Sequence, residues 1–323
     1  MHIGIVGASG EVGRMMIRVL EEHKIGIEKL SLFASKRSAG EKIKFNENEI
    51  VIQELTKDSM MKKYDYLLFS AGSSVSKKYA SIAAEHGNVI IDNSSAFRSS
   101  AEIPLIIPEI NGQLLQNYRG IIANPNCSTI QMLLALNKLH QKYCLKKIVV
   151  STYQAVSGAG HSALEEMKNQ RKGKSGNTIF PKKIDLNVIP IIGEILENGY
   201  SSEEMKMQNE TVKIFGDRNI RVSATTVRVP VSYGHSESIF CEFKEEVSLE
   251  SVKQILLNSD AVVFHENEII TPLDIVNSDA SHVSRLRIGF DNHSINFWNV
   301  ANNIRVGAAT NAVRIMEKHI SLN

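Results

Sequence analysis

The residue of this chain best suited to covalent chemistry is Cys127, which falls in ANPNCST (123–129), between an apolar strand pattern and a helical one. At or just before a helix start, a thiolate faces unpaired backbone N–H groups and the positive end of the helix dipole. Both lower a thiol pKa and favour nucleophilic attack. The same N–H groups would stabilise an oxyanion formed when a carbonyl is attacked. The other two cysteines sit differently. Cys144 follows a helix end and Cys241 lies within an apolar strand, so both read as small buried residues. A thiolate that handles acyl groups also needs a partner for proton transfer. Of the ten histidines, the first candidate is His235, in TTVRVPVSYGHS (225–236), where a strand breaks at Tyr233–Gly234. His161, after the turn SGAG, is the other.

A second constellation lies at the amino terminus. GASGEVG (7–13) directly follows a strand and precedes a helix. Glycines there permit a tight turn and let the backbone approach a pyrophosphate at the helix start. The spacing is G-x-x-G-x-x-G, so the context carries more of the reading than the motif does. The second strand runs into ASKRSAG (34–40), with no carboxylate before Glu41 to bind ribose hydroxyls. Arg37, flanked by Ser35 and Ser38, is suited instead to the 2′-phosphate of NADP through charge-assisted hydrogen bonds.

These residues need a scaffold, and the patterning supplies one. HIGIV (2–6), KLSLFA (29–34), YDYLLFSA (64–71), NVIIDNS (88–94) and GIIANPN (120–126) read as strands, with helices at 11–23 and 74–86 and a hairpin over 42–55. Strands alternating with helices imply parallel βαβ units and a doubly wound sheet. After Cys127 come a mostly apolar helix (128–142), a long strand (146–156), a helix at 161–171, and strands at 220–231 and 237–246 whose alternation suggests antiparallel pairing. A last helix near 302–318 has apolar spacing suited to docking on the first domain. The expected fold class is therefore α/β, with a doubly wound Rossmann-type nucleotide-binding domain and an α+β catalytic and dimerisation domain. The first comprises residues 1–126 completed by a helix at 303–323, and the second residues 127–302.

Composition narrows the function. With 37 Lys and Arg against 35 Asp and Glu, and no long basic run, the chain is not built for nucleic acid. It has no run of about 18 apolar residues, so no membrane span is expected, and MHIGIVGASG lacks the pattern of a signal peptide. Three cysteines do not make a disulfide framework, which points to free thiols and a cytoplasmic location. No metal site is expected.

Taken together, GASGEVG, SKRSAG, IDNSSAFR, NPNCST, YQAVSGAG, EEMK, RVPVSYGHS and NFWNVANNIRVGAA resemble, in order and spacing, the aspartate-β-semialdehyde dehydrogenases of bacterial type. The resemblance spans nearly the whole chain. It implies reductive dephosphorylation of 4-phospho-L-aspartate to L-aspartate 4-semialdehyde with NADPH and release of phosphate. That step belongs to the biosynthesis of lysine (through diaminopimelate), threonine, methionine and isoleucine. Cys127 would hold the aspartyl group as a thioester, and His235 would donate or accept the proton.

The resemblance also assigns the binding residues. Arg228 would grip the substrate α-carboxylate, Glu203 its ammonium, and Gln154 would orient the acyl group. Arg98 and Lys206 would hold the phosphate. Ser9, Gly10, Glu11 and Val12 would lie along the cofactor pyrophosphate, with Arg37 and Ser38 at the 2′-phosphate. Ser157 and Gly158 would approach the nicotinamide, and Asn303 in the last helix, next to Asn302, would complete the pocket. A homodimer or homotetramer is implied. Two alternatives remain: an N-acetyl-γ-glutamyl-phosphate reductase, whose substrate has no free ammonium for Glu203, and a non-catalytic NADP-binding regulator on the same scaffold.

Overall fold

The computed structural model describes residues 1–323 other than Ser175 and Asn177. Its contacts divide the chain into two compact units, Met1–Pro125 with Ala308–Asn323, and Asn126–Gly307.

In the first unit, β1 (His2–Val6) leads through the glycine turn into α1 (Glu11–Glu22), then β2 (Lys29–Ala34). A hairpin follows, β3 (Lys42–Phe45) and β4 (Asn48–Glu54), paired antiparallel across a two-residue turn in which Asn46 takes φ 52°, a left-handed conformation that asparagine tolerates. Next come α2 (Lys57–Met60), β5 (Tyr66–Phe69), α3 (Ser73–Glu85), β6 (Val89–Asp92), α4 (Pro108–Asn111) and β7 (Ile121–Ala123). The sheet order is β3-β4-β2-β1-β5-β6-β7, parallel throughout except for β3. The continuous apolar runs of β1, β5 and β6 are buried on both faces, as central parallel strands must be. Strand order reverses at β1 and β5, where doubly wound sheets bind their ligands at the carboxyl ends.

The second unit opens with α5 (Cys127–Tyr143), followed by β8 (Leu145–Gln154), α6 (His161–Arg171), α7 (Ser202–Phe215), β9 (Arg221–Arg228) and β10 (His235–Phe243). It continues with α8 (Leu249–Leu257), β11 (Val262–His265), β12 (Ser281–Ile288) and β13 (Ser294–Ala301). Their order in the mixed sheet is β11-β12-β13-β10-β8-β9. β10 runs antiparallel to β8 and β13, as its alternation suggested, but β9 pairs parallel with β8. The regular in-out burial of β9 records one covered face and says nothing of direction. The long connection through α6 and α7 allows the parallel return. The last helix also begins later than its apolar spacing suggested. Asn303 lies in a turn, Arg305–Thr310 is a π-helical segment, and α9 (Asn311–Leu322) follows. α9 packs on α1, α4 and β6, and its Ala312, Val313, Ile315 and Met316 join the core beneath β1 and β2.

Candidate active site

In the first unit the glycine turn is fixed by close approach. Gly7 has φ 90°, and a Cβ there would lie 2.9 Å from the backbone of Ser70 and Ala71, at the carboxyl end of β5. A Cβ on Gly13 would come within 2.2 Å of Gly7 O. Gly10 caps α1 without a side-chain hydrogen bond, so the helix start is open to an anion. Ser9, Glu11 and Val12 are half-buried along this turn and Gly10 is exposed. Past β2, Arg37 is exposed beside a buried Ser38, and Glu41 is drawn into an ion pair with Arg14 at 3.2 Å. Cradle and basic turn fit a dinucleotide carrying a 2′-phosphate. Arg98 is half-buried, its Nη2 donating to Asn93 O at 2.8 Å.

In the second unit three strand ends converge. Gln154 closes β8 opposite Arg228, the last residue of the parallel β9, and His235 opens β10 next to them. Cys127 is the first residue of α5, whose N-cap is Asn126: Asn126 Oδ1 accepts from Ser128 N at 3.0 Å and Thr129 N at 3.3 Å. Two acids of α7, two turns apart on one helical face, reach back to the same asparagine. Glu210 Oε2 accepts from Asn126 N at 2.7 Å, and Glu203 Oε1 accepts from Asn126 Nδ2 at 2.8 Å.

Glu203 is the electrostatic centre. Its Oε1 also accepts from Gln154 Nε2 at 3.2 Å, and its Oε2 from Lys206 Nζ at 2.9 Å. Burial works to raise its pKa, but the Lys206 ammonium and the two amides overcome this and hold the carboxyl at about 2. An acid–base pair three residues apart on a helix is usually solvated; here Glu203 is buried and only Lys206 is partly open to solvent.

Arg228 is buried, with Nη1 donating to Ala155 O at 2.6 Å. Burial lowers its pKa, while Glu203 and Cys127 act on it in the opposite sense. His235 is fully enclosed. Ala155 N–H donates to its Nδ1 at 2.9 Å, which places the proton of the neutral ring on Nε2, and Nε2 has no hydrogen-bond partner among the described residues. Burial, then the Arg228 charge, bring its pKa down to about 3, so the ring is neutral at pH 7. Gly158 is exposed and lies over this pair. A Cβ there would stand 2.9 Å from Arg228 Nη1 and 3.3 Å from His235 Nε2.

Asn303 and Ser157 meet as neighbours. Asn303 Nδ2 donates to Ser157 Oγ at 3.0 Å and its Oδ1 accepts from Gly234 N at 2.9 Å, so it ties the turn after β8 to the loop before His235. The adjacent Asn302 instead caps Ile304 and Arg305 and donates to Val276 O. His161 is exposed beside Glu165, away from these bonds. Cys241 is wholly buried and its thiol is pushed up by desolvation; Cys144 is only half-buried, in a left-handed helix cap at φ 56°. Asn126 and Glu210 also belong to this site. Their signals in the sequence are an asparagine just before a helix, and a glutamate seven residues after Glu203 on one helical face.

The semialdehyde dehydrogenase NAD-binding domain profile matches residues 2–118, and the semialdehyde dehydrogenase dimerisation domain profile matches residues 136–306. Aspartate-semialdehyde dehydrogenase of Aquifex aeolicus is 46% identical over 98% of this chain and 97% of its own. The chain belongs to the aspartate-semialdehyde dehydrogenase family. The enzyme of that family from Shewanella violacea is 44% identical over 98% of this chain and 96% of its own. Among solved structures, aspartate semialdehyde dehydrogenase II of Vibrio cholerae, complexed with ASA, superposes with a TM-score of 0.96 at 40% identity, covering 99% of this chain and 98% of that one. Membership in this family accounts for a Rossmann-like domain joined to an α+β domain. Among the described residues, no helix is long and apolar enough to cross a membrane.

Proposed function

We propose that this chain is an NADP-dependent, phosphorylating aspartate-semialdehyde dehydrogenase that works through a thioester on Cys127. The observation that carries the reading is the enclosed, unpartnered Nε2–H of His235, set beside Arg228 under the gap that Gly158 leaves. A neutral imidazole with a free Nε2–H can donate to an oxyanion in either direction of the reaction, whereas its Nδ1 lone pair is already engaged by Ala155 N–H.

Each step has a residue. The Cys127 thiolate, favoured by the start of α5 and by the Arg228 charge, attacks the acyl carbon, and the carbon–oxygen bond to phosphate breaks with the electron pair leaving on phosphate. When bound, the nicotinamide supplies the hydride that reduces the thioester, and takes it back in the oxidative direction. The resulting hemithioacetal oxyanion is held by His235 Nε2–H until the carbon–sulfur bond breaks and the thiolate leaves as the aldehyde forms. Ser9, Gly10, Glu11 and Val12 hold the pyrophosphate, Arg37 and Ser38 the 2′-phosphate, and Ser157, Gly158 and Asn303 border the nicotinamide.

The substrate ammonium replaces Lys206 on Glu203, and Lys206 so released joins Arg98 in holding phosphate. Arg228 takes the α-carboxylate as a fork, and Gln154 orients the acyl oxygen. A carboxylate held ionised by several donors is matched to a substrate with a free ammonium, which favours the aspartyl substrate over an N-acetylated one. The enzyme acts in the cytoplasm as a homodimer or homotetramer.

The test is steady-state NADP reduction with aspartate semialdehyde and phosphate, with NAD as comparison. Cys127→Ala is expected to abolish phosphate-dependent turnover; near-normal turnover in that variant would overturn the reading.

A further inference from the structure

β10 carries two ionisable groups on its inner face near the site, and the mechanism uses only His235. Glu237, two residues on, faces the same side and is equally enclosed. An ionised carboxylate at that depth calls for a cation or several donors. Glu237 has neither. Its Oε2 accepts from Asn299 Nδ2 at 3.0 Å, from the position paired with it on β13. Its Oε1 has no partner among the described residues, and neither has Oε1 of Gln131, although the two side chains lie within hydrogen-bonding reach.

Among the described residues no charged group offsets the burial. β8 meets Glu237 with Thr152, β13 with Asn299, β12 with Ser281 and α5 with Gln131. The remaining ionisable groups are His235 and Cys241 on the inner face of β10, and Cys127, one turn before Gln131 on α5. Desolvation pushes the carboxyl up to about 8, against partial opposition from the two amides.

Two enclosed acceptors in one network lack a donor, and a single proton resolves that. We propose that Glu237 is a neutral carboxylic acid whose O–H donates to the Gln131 side chain, making it a positioning residue for Cys127 and His235. Gln131 links both. Its Nε2 points to His235 O at 3.4 Å, and its own carbonyl, in the turn after Cys127, accepts from Ser281 Oγ at 3.0 Å and Asn299 Nδ2 at 3.1 Å. Ionised, Glu237 would place an uncompensated anion behind both reacting groups, opposing thiolate formation on Cys127 and drawing a second proton onto His235.

The proposal rests on the reading of those two residues as the reacting pair, and its test separates the two. Infrared difference spectra of the whole enzyme, wild type against E237Q, report the carbonyl stretch of a protonated acid without any turnover. The band is expected at pH 7, fading as pH rises through about 8; its absence at pH 7 overturns the proposal. In kinetics, E237Q keeps a neutral N–H donor and should lose less than about tenfold in kcat at pH 7, the scale of one neutral hydrogen bond. Its alkaline fall in kcat should disappear. E237L, with no donor, should lose about a hundredfold, as a misplaced reacting pair does. An unchanged alkaline limb in E237Q overturns the positioning role even if the band is present. If wild type shows the band but no phosphate-dependent turnover, the function fails and the neutral acid stands.

Discussion

Gly158→Ala adds one methyl group where the structure leaves no room for it. That carbon would sit 2.9 Å from Arg228 Nη1 and 3.3 Å from Nε2 and Cε1 of His235, whereas unstrained carbon contacts lie near 3.5–4.0 Å. Neither neighbour can retreat freely. Arg228 is pinned by its 2.6 Å bond to Ala155 O, and His235 by the 2.9 Å bond from Ala155 N. The backbone of Gly158 is not in a left-handed conformation, so alanine is tolerated there as a fold residue. Restricting the unfolded chain contributes about 0.4–1 kcal/mol in its favour, against about 1–3 kcal/mol for overpacking. Stability should therefore fall only slightly. Catalysis should not escape so lightly. A displacement approaching 1 Å costs on the order of a hundredfold, or about 2.7 kcal/mol in transition-state stabilisation. We expect kcat/KM for aspartate semialdehyde to drop about a hundredfold, with Gly26→Ala, which meets nothing within 4 Å, as the control. The assay is initial-rate NADP reduction alongside thermal denaturation. A Gly158→Ala enzyme within about threefold of wild type would refute the packing of Gly158 against the reacting residues.

Other expectations follow from the same contacts. Glu203 is held at about 2, below the usual 4.5, so its contribution to stability is fully present above pH 4.5 and is lost as pH falls towards 2. Glu203→Gln should remove about 3 kcal/mol of that pH dependence, seen as a flatter curve of denaturation midpoint against pH; an unchanged slope would contradict the assignment. Arg37→Ala should raise KM for NADP by about tenfold or more, the scale of one charge-assisted hydrogen bond, and leave KM for NAD unmoved. Asn126→Ala removes the cap of α5 and a donor to Glu203. It should cost about 1 kcal/mol in stability and slow alkylation of Cys127 at pH 7.

Much of the frame is legible in the sequence. The continuous apolar runs of β1, β5 and β6 declare buried parallel strands, and the polar break between β3 and β4 declares a hairpin, because burial and turn chemistry act locally. The direction of β9 was not legible, since a strand with one covered face alternates alike in parallel and antiparallel pairing. In the site, Cys127 stood out by its place before a helix. Glu203 did not, because an i, i+3 acid–base pair on a helix is usually solvated, and only the tertiary approach of Asn126 and Gln154 makes it a buried carboxylate. The tautomer of His235 depends on one backbone N–H, that of Ala155, eighty residues away in sequence.

The parallel pairing of β8 and β9 has a kinetic consequence. Gln154 and Arg228 become neighbours only after roughly seventy residues of intervening chain have closed into a loop, and His235 enters the sheet beyond them. Such non-local contacts form late in folding. A chain still emerging or stalled would carry Cys127 at the start of a helix without its arginine, its proton donor or its glutamate. On the proposed reading, the site around the Cys127 thiol would be completed only as one of the last acts of folding.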